Sequence, residues 1–181
     1  MDKLVHKRLV FTHRFHISPL ERGVKEMHQL STLCYIQQSD KTLMLYRNKK
    51  DKDIHKGKWN GLGGKFLSGE TPEACVKREV LEESGLVVDN LQWRGVLTFP
   101  RFKDGVDWVT FLYTTTTFSG ELIDSDEGEL HWIETKKLSA LELWEGDHHF
   151  FKWLEQPDFF SAQFRYENGR LIDYERTVYP V

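Results

Sequence analysis

Gly64-Lys-Phe-Leu-Ser-Gly-Glu70-Thr-Pro-Glu-Ala-Cys-Val-Lys-Arg78-Glu79-Val80-Leu-Glu82-Glu83-Ser-Gly85-Leu86 is the stretch from which both fold and chemistry are read. Its middle predicts a helix over Thr71 to Ser84. Thr71 suits the N-cap, Pro72 the first helical position, and Gly85 the left-handed stop. Successive helical residues turn by about 100°, so Glu79, Glu82 and Glu83 share an arc of roughly 100°. Like charges so placed destabilise an isolated helix by roughly 0.2–0.5 kcal/mol per pair. They also occupy the later half of the helix, where the macrodipole disfavours anions. Local physics therefore opposes this stripe unless cations sit against it. Hard ions such as Mg²⁺ or Mn²⁺ bind carboxylate oxygens and take substrate phosphates as further ligands. Bound there, they would polarise a phosphoryl oxygen and lower the pKa of a bound water. Arg78, beside Glu79, can hold a carboxylate through its planar fork. Taken alone, the three glutamates also fit a solvated acidic face.

The rest of the chain bounds this reading. With 181 residues, it has the length of one ordinary domain. Hydrophobic residues make up 39% and charged residues 29%, the composition of a soluble globular protein. A net charge of -3 lacks the basic excess of a general nucleic-acid binder, so no stable nucleic-acid partner is expected. A polyphosphate must be met by local cations or by metal. Cys34 and Cys75 have no CxxC partner, which argues against a zinc site or disulfide framework and fits a reducing cytoplasm. No apolar run approaches the roughly 20 residues of a membrane helix.

Residues 1–28 stand apart as an extension, with Lys3, Lys7, Arg8, Arg14, Arg22 and Lys25 set against Asp2 and Glu21. A basic targeting segment, a plain extension and a true start at Met27 are all open readings. The domain itself runs from 29 to 181. Leu30–Ile36 and Thr42–Tyr46 flank a Ser39-Asp40-Lys41 turn and predict a hairpin. Leu86 to Phe99 and Trp108 to Phe118 are rich in strand formers, with an Asp104-Gly105 turn between them. Asn168-Gly169 is a strong hairpin signal between Phe159–Tyr166 and Leu171–Val178. A second helix is expected over Lys136 to Gln156, broken near Gly146. Together these give an α/β fold, a mixed β-sheet between α-helices.

The quoted stretch matches the Nudix box, G-x5-E-x7-R-E-U-x-E-E-x-G-U with U apolar, at every specified position: Gly64, Glu70, Arg78, Glu79, Val80, Glu82, Glu83, Gly85 and Leu86. The chain thus resembles the Nudix hydrolases. The resemblance implies their fold, a loop–helix–loop box set in a mixed sheet between helices. It also implies their reaction, attack of water on a phosphorus of a nucleoside-diphosphate-linked substrate, assisted by Mg²⁺ or Mn²⁺. By position, Glu79, Glu82 and Glu83 would be metal ligands together with the Gly64 carbonyl, and one carboxylate would serve or orient the general base. Glu127 is the choice for a distal acidic ligand, with a surface turn as its alternative.

Outside the box, Lys58–Lys65 and the segments Asp147–Phe151, Phe164–Tyr166 and Leu171–Tyr174 resemble the MutT-homologue oxidised-purine nucleoside triphosphatases, over roughly residues 29 to 178. That resemblance implies hydrolysis of 8-oxo-dGTP to monophosphate and pyrophosphate. Asn60 would read the base edge, since an amide sets a donor beside an acceptor; capping a turn is its alternative. Trp144 would stack on the base, with core packing as the alternative. The subfamily follows this tryptophan with two consecutive aspartates. Here Asp147 remains and Gly146 replaces the first, which puts broad recognition of oxidised guanine and adenine in question. His148-His149 reads as structural, because adjacent helical residues do not face one another. The lysine-rich run from Lys49 to Lys58 reads as a solvated loop from which Lys49, Lys50 or Lys58 could reach a triphosphate. Two other readings stay open: a Nudix hydrolase of another nucleoside-diphosphate-linked substrate, and a non-catalytic nucleotide sensor.

Overall fold

The computed structural model describes residues 28–180. The expected N-terminal extension, its targeting reading and the Met27 start lie outside the described residues, apart from His28. In chain order the elements are β1 (His28–Gln38), β2 (Lys41–Tyr46), β3 (Trp59–Asn60), α1 (Pro72–Ser84), β4 (Val87–Asp89), β5 (Gln92–Lys103), β6 (Val106–Thr115), β7 (Thr117–Ser119) and β8 (Glu129–Glu134). A 3-10 helix (Thr135–Ala140), α2 (Asp147–Leu154), β9 (Phe159–Glu167) and β10 (Arg170–Tyr179) follow.

The main sheet runs β10-β9-β5-β6-β1-β2-β3, with β8 also paired to β2, while β4 and β7 form a separate ribbon. It is mixed: β1 lies parallel to β6 and β5 parallel to β9, and the remaining pairs are antiparallel. Side chains alternate across a strand. Cys34 and Ile36 therefore enter one core with Leu43, Leu45 and the Val76 and Val80 face of α1. Tyr35 and Met44 point the other way, into a core with Phe150 of α2, Leu138 and Phe164. This produces the expected α/β/α layering, and it explains the continuous apolar runs Leu33–Ile36 in β1 and Leu43–Tyr46 in β2.

The β1–β2 hairpin opens immediately. The strands pair only at Gln37↔Thr42 and Gln38↔Lys41. The glycine-rich segment before the box fills the wedge, with Cys34 and Leu62 exchanging backbone bonds (2.6 and 2.9 Å) and Thr32 N–H donating to the Gly64 carbonyl (2.8 Å). Gly63, at φ +143°, lies so close to the Thr32 carbonyl that a Cβ has no room. This strapping fixes the loop that leads into α1.

Helix α1 matches its expected limits. Thr71 accepts from Ala74 N–H, and Gly85 caps it at φ 78°. The Asp104-Gly105 and Asn168-Gly169 turns carry positive φ at both residues, as two-residue hairpins with this twist require. One expectation needs correction, and two features go beyond the sequence reading. Leu86 to Phe99 is two strands, because Asn90 at φ 47° turns the chain, and β4 leaves the main sheet to pair with β7. Residues 136–156 do not form one broken helix. After the 3-10 turn, Leu141 is extended, and the Glu142 carbonyl is claimed by Trp59 N–H (2.9 Å) and that of Leu143 by Lys58 Nζ (3.0 Å). Only α2 remains helical. Strand β8 was not anticipated, although Leu130 and Trp132 alternate with Glu129 and His131.

Candidate active site

A cleft of about 470 Å³ opens where the glycine-rich strap, α1 and the strand ends meet. One end is acidic and the other aromatic.

At the acidic end, α1 presents Glu79 and Glu83 to the cleft, and the loop before β8 brings Glu127 to the same wall. Glu83 is 6% exposed. It accepts from Gly63 N–H (2.8 Å) and from Arg47 (3.3 Å). Burial pushes its carboxyl up to about 8, reinforced by the charges of Glu127 and Glu79 and opposed by Gly63 and Arg47. Burial also raises Glu79. Its carboxylate lies against the Gly64 α-carbon, leaving no room for a Cβ there. Glu82 does not line the cleft; its side chain is 58% exposed and pairs with Arg78.

The charge on the stripe is offset by two arginines. Arg78 bonds Glu70 through Nε and Nη2 (2.6 and 2.9 Å), and Glu79 and Glu82 through Nη1 (2.7 and 3.0 Å). The Arg78 bonds hold the Glu70 carboxyl down to about 2. Arg47, at the end of β2, pairs with Asp53 (2.7 Å), Glu83 and Glu127. The fold thus supplies part of the charge balance itself, from a residue just after β2. Arg47 was missed because nothing in the box spacing marks it. Lys50 pairs with Glu127, and Lys50 and Lys52 rim the cleft. Lys49 is held instead by Asp124 and the Ser125 carbonyl (2.6 and 2.7 Å).

The aromatic end brings together Asn60, Trp144 and Asp147, which are far apart in sequence. Trp144 stands in the wall with its edges against Phe102, Tyr166 and His55 (centroids 5.2, 5.4 and 5.9 Å). Its Nε1 donates to His55 Nδ1 (2.8 Å), and Lys58 lies over its ring at 5.0 Å. Burial lowers His55 to about 4, so its ring is neutral and can accept. Asp147 opens α2 and is 7% exposed. Burial pushes its carboxyl up to about 8 against the pull of Lys58, which keeps it protonated at neutral pH. His149 packs on Tyr174 (4.1 Å), outside the cleft.

Comparison with known proteins bears on family and fold. The NUDIX domain model matches residues 27–154. The chain is 31% identical over 144 residues to a zebrafish (Danio rerio) protein named oxidized purine nucleoside triphosphate hydrolase, spanning 80% of this chain and 90% of that one. It is 33% identical over 131 residues to an uncharacterized Nudix hydrolase of Bacillus subtilis, spanning 70% and 78%. The crystal structure of a MutT protein from Bacillus halodurans superposes with a TM-score of 0.74 at 29% identity, covering 82% of this chain and 97% of that one. An intact box, set in this sheet and opening on this cleft, places the chain in the Nudix hydrolase family, among its MutT-like members.

Proposed function

We propose that this Nudix hydrolase is a Mg²⁺-dependent pyrophosphohydrolase of nucleoside triphosphates, with oxidised purines such as 8-oxo-dGTP as its substrates and monophosphate and pyrophosphate as its products. The observation that carries the reading is the division of one cleft into an acidic end for phosphates and an aromatic end for a base. The names of the zebrafish and mouse relatives point to the same substrate class.

Nudix hydrolases use divalent metal ions, and the donor set here suits a hard one. Carboxylates of Glu79, Glu82, Glu83 and Glu127 with the Gly64 carbonyl offer only oxygen, and acids around Arg47 and Arg78 outnumber those two arginines. No three acidic, histidine or cysteine side chains converge tightly among the described residues; Arg47 instead bridges Glu83 and Glu127, and Arg78 bridges Glu70, Glu79 and Glu82. Bound Mg²⁺ (or Mn²⁺) would polarise a phosphoryl oxygen and activate water.

The chain's own residues do the rest. Arg78 keeps Glu79 and Glu82 oriented, and Gly63 N–H fixes one oxygen of Glu83. Lys50 and Lys52 border the path of a triphosphate. Asn60 offers paired donor and acceptor to a base edge. Asp147, kept neutral, adds a donor that an ionised carboxylate lacks.

A panel of triphosphates and nucleotide sugars with Mg²⁺ tests this reading. 8-oxo-dGTP should be turned over at least tenfold more efficiently than dGTP; equal values would rule out the oxidised-purine assignment. Glu83→Gln should cut turnover by about two or more orders of magnitude with an unchanged circular dichroism spectrum. Tight nucleotide binding without any turnover would favour a sensor.

A further inference from the structure

The residue at position 146 has a helical backbone, φ -64° and ψ -30°, which any amino acid can adopt. Glycine is therefore not required by the dihedrals. It is required by volume. A Cβ there would lie 2.7 Å from the Tyr166 hydroxyl and 2.9 Å from Cδ1 of Phe164. The space a side chain at 146 would take is filled from β9 by a phenol.

Tyr166 is held firmly. Its ring meets Trp144 edge-on (5.4 Å, 84°) and Phe102 (5.5 Å, 70°). Its oxygen accepts the Gly146 N–H at 2.7 Å. That bond takes one lone pair of the oxygen and leaves the phenolic proton for another acceptor. Among the described residues nothing accepts it, and the side chain lines the cleft. Burial raises the phenol's pKa further above the neutral range.

Resting on the purine triphosphate reading above, we propose that Tyr166 is a specificity-determining residue that donates its hydroxyl proton to a carbonyl oxygen of the base, selecting 6-oxo over 6-amino purines. A neutral carboxyl offers a donor and an acceptor side by side and adapts to either edge. A phenol whose oxygen is already held by an N–H keeps its proton as the unused hydrogen-bonding group and favours an acceptor as its next partner. It matches a carbonyl and confronts the N–H of an amino group, and an unpaired donor in a dry pocket is costly. Gly146 and Tyr166 thus form one unit that presents a fixed donor to the cleft.

The test compares kcat/KM for 8-oxo-dGTP and 8-oxo-dATP. The wild type should favour 8-oxo-dGTP, and Tyr166→Phe should move the ratio about tenfold toward 8-oxo-dATP. Gly146→Ala, which displaces the hydroxyl without deleting it, should move the ratio the same way and covers a Tyr166→Phe protein that fails to fold. Calorimetric affinities for 8-oxo-dGMP and 8-oxo-dAMP without metal should follow the same order. A ratio shifted less than twofold, or both substrates lost in proportion, would overturn the role of Tyr166 and leave the substrate class standing. A wild type inactive on every purine triphosphate would remove both.

Discussion

Arg47 shows how one side chain can alter a site laid out by a motif. Its fork reaches Asp53, Glu83 and Glu127 at once. Removing one partner of a buried charge cluster typically costs about 3–5 kcal/mol, less where the cluster is partly wet. Arg47→Met should lower the metal-free Tm by about 5–10 °C. The released carboxylates should then gain more from metal, so the rise in Tm on adding Mg²⁺ should exceed that of the wild type. An unchanged rise would mean that Arg47 and metal do not share these acids. Asp147 yields a second expectation at this scale. Its carboxyl ionises near 3.8 in an unfolded chain and near about 8 in the folded one. Between those values folding takes up a proton, so stability falls as pH rises and levels off above about 8. The slope is at most about 1.4 kcal/mol per pH unit for each such group. Glu83, also raised to about 8, shares the upper part of this window. Asp147→Asn should therefore flatten the decline in metal-free stability between pH 6.5 and 8, above the range in which the lowered His55 opposes it, measured by urea unfolding. An unaltered slope would show that Asp147 is ionised in the folded protein.

Helix α1 is the element on which the site depends, and its ends can be tested separately from its acids. Thr71 supplies a side-chain cap to Ala74 N–H, so Thr71→Ala should cost about 1 kcal/mol. Gly85 is more constrained, since it adopts φ 78° and a Cβ would lie 2.7 Å from the Glu121 carbonyl. Gly85→Ala should cost more than Thr71→Ala in urea unfolding; the reverse order would contradict the cap geometry. The box helix was legible because caps and carboxylate spacing are local properties. The segment that became α2 was legible only in part. Nothing within residues 141–146 reveals that Trp59 and Lys58 compete for their carbonyls. Strand β8 depends likewise on β2 as a partner.

Across the whole molecule, the two cores lie on opposite faces of the sheet and are built from apolar side chains, independent of any metal. Chelation by EDTA should therefore abolish turnover while leaving the far-ultraviolet spectrum unchanged. Loss of structure on chelation would assign the metal a structural role. Among the described residues no helix is long and apolar enough to cross a membrane. The splayed β1–β2 hairpin is the global feature that shapes the cleft, because it admits the glycine strap and sets the box beside the aromatic end of the cleft.

By itself, the sequence determined the family, the box helix with its caps, the two-residue turns and the acidic stripe of the box, since each depends on spacing along a few turns of chain. Only the tertiary structure decided which charges balance those acids, that β4 leaves the main sheet, and that the space beside Gly146 belongs to Tyr166. Those outcomes depend on groups distant in sequence competing for the same volume or the same hydrogen bond, and no local pattern records the result of that competition.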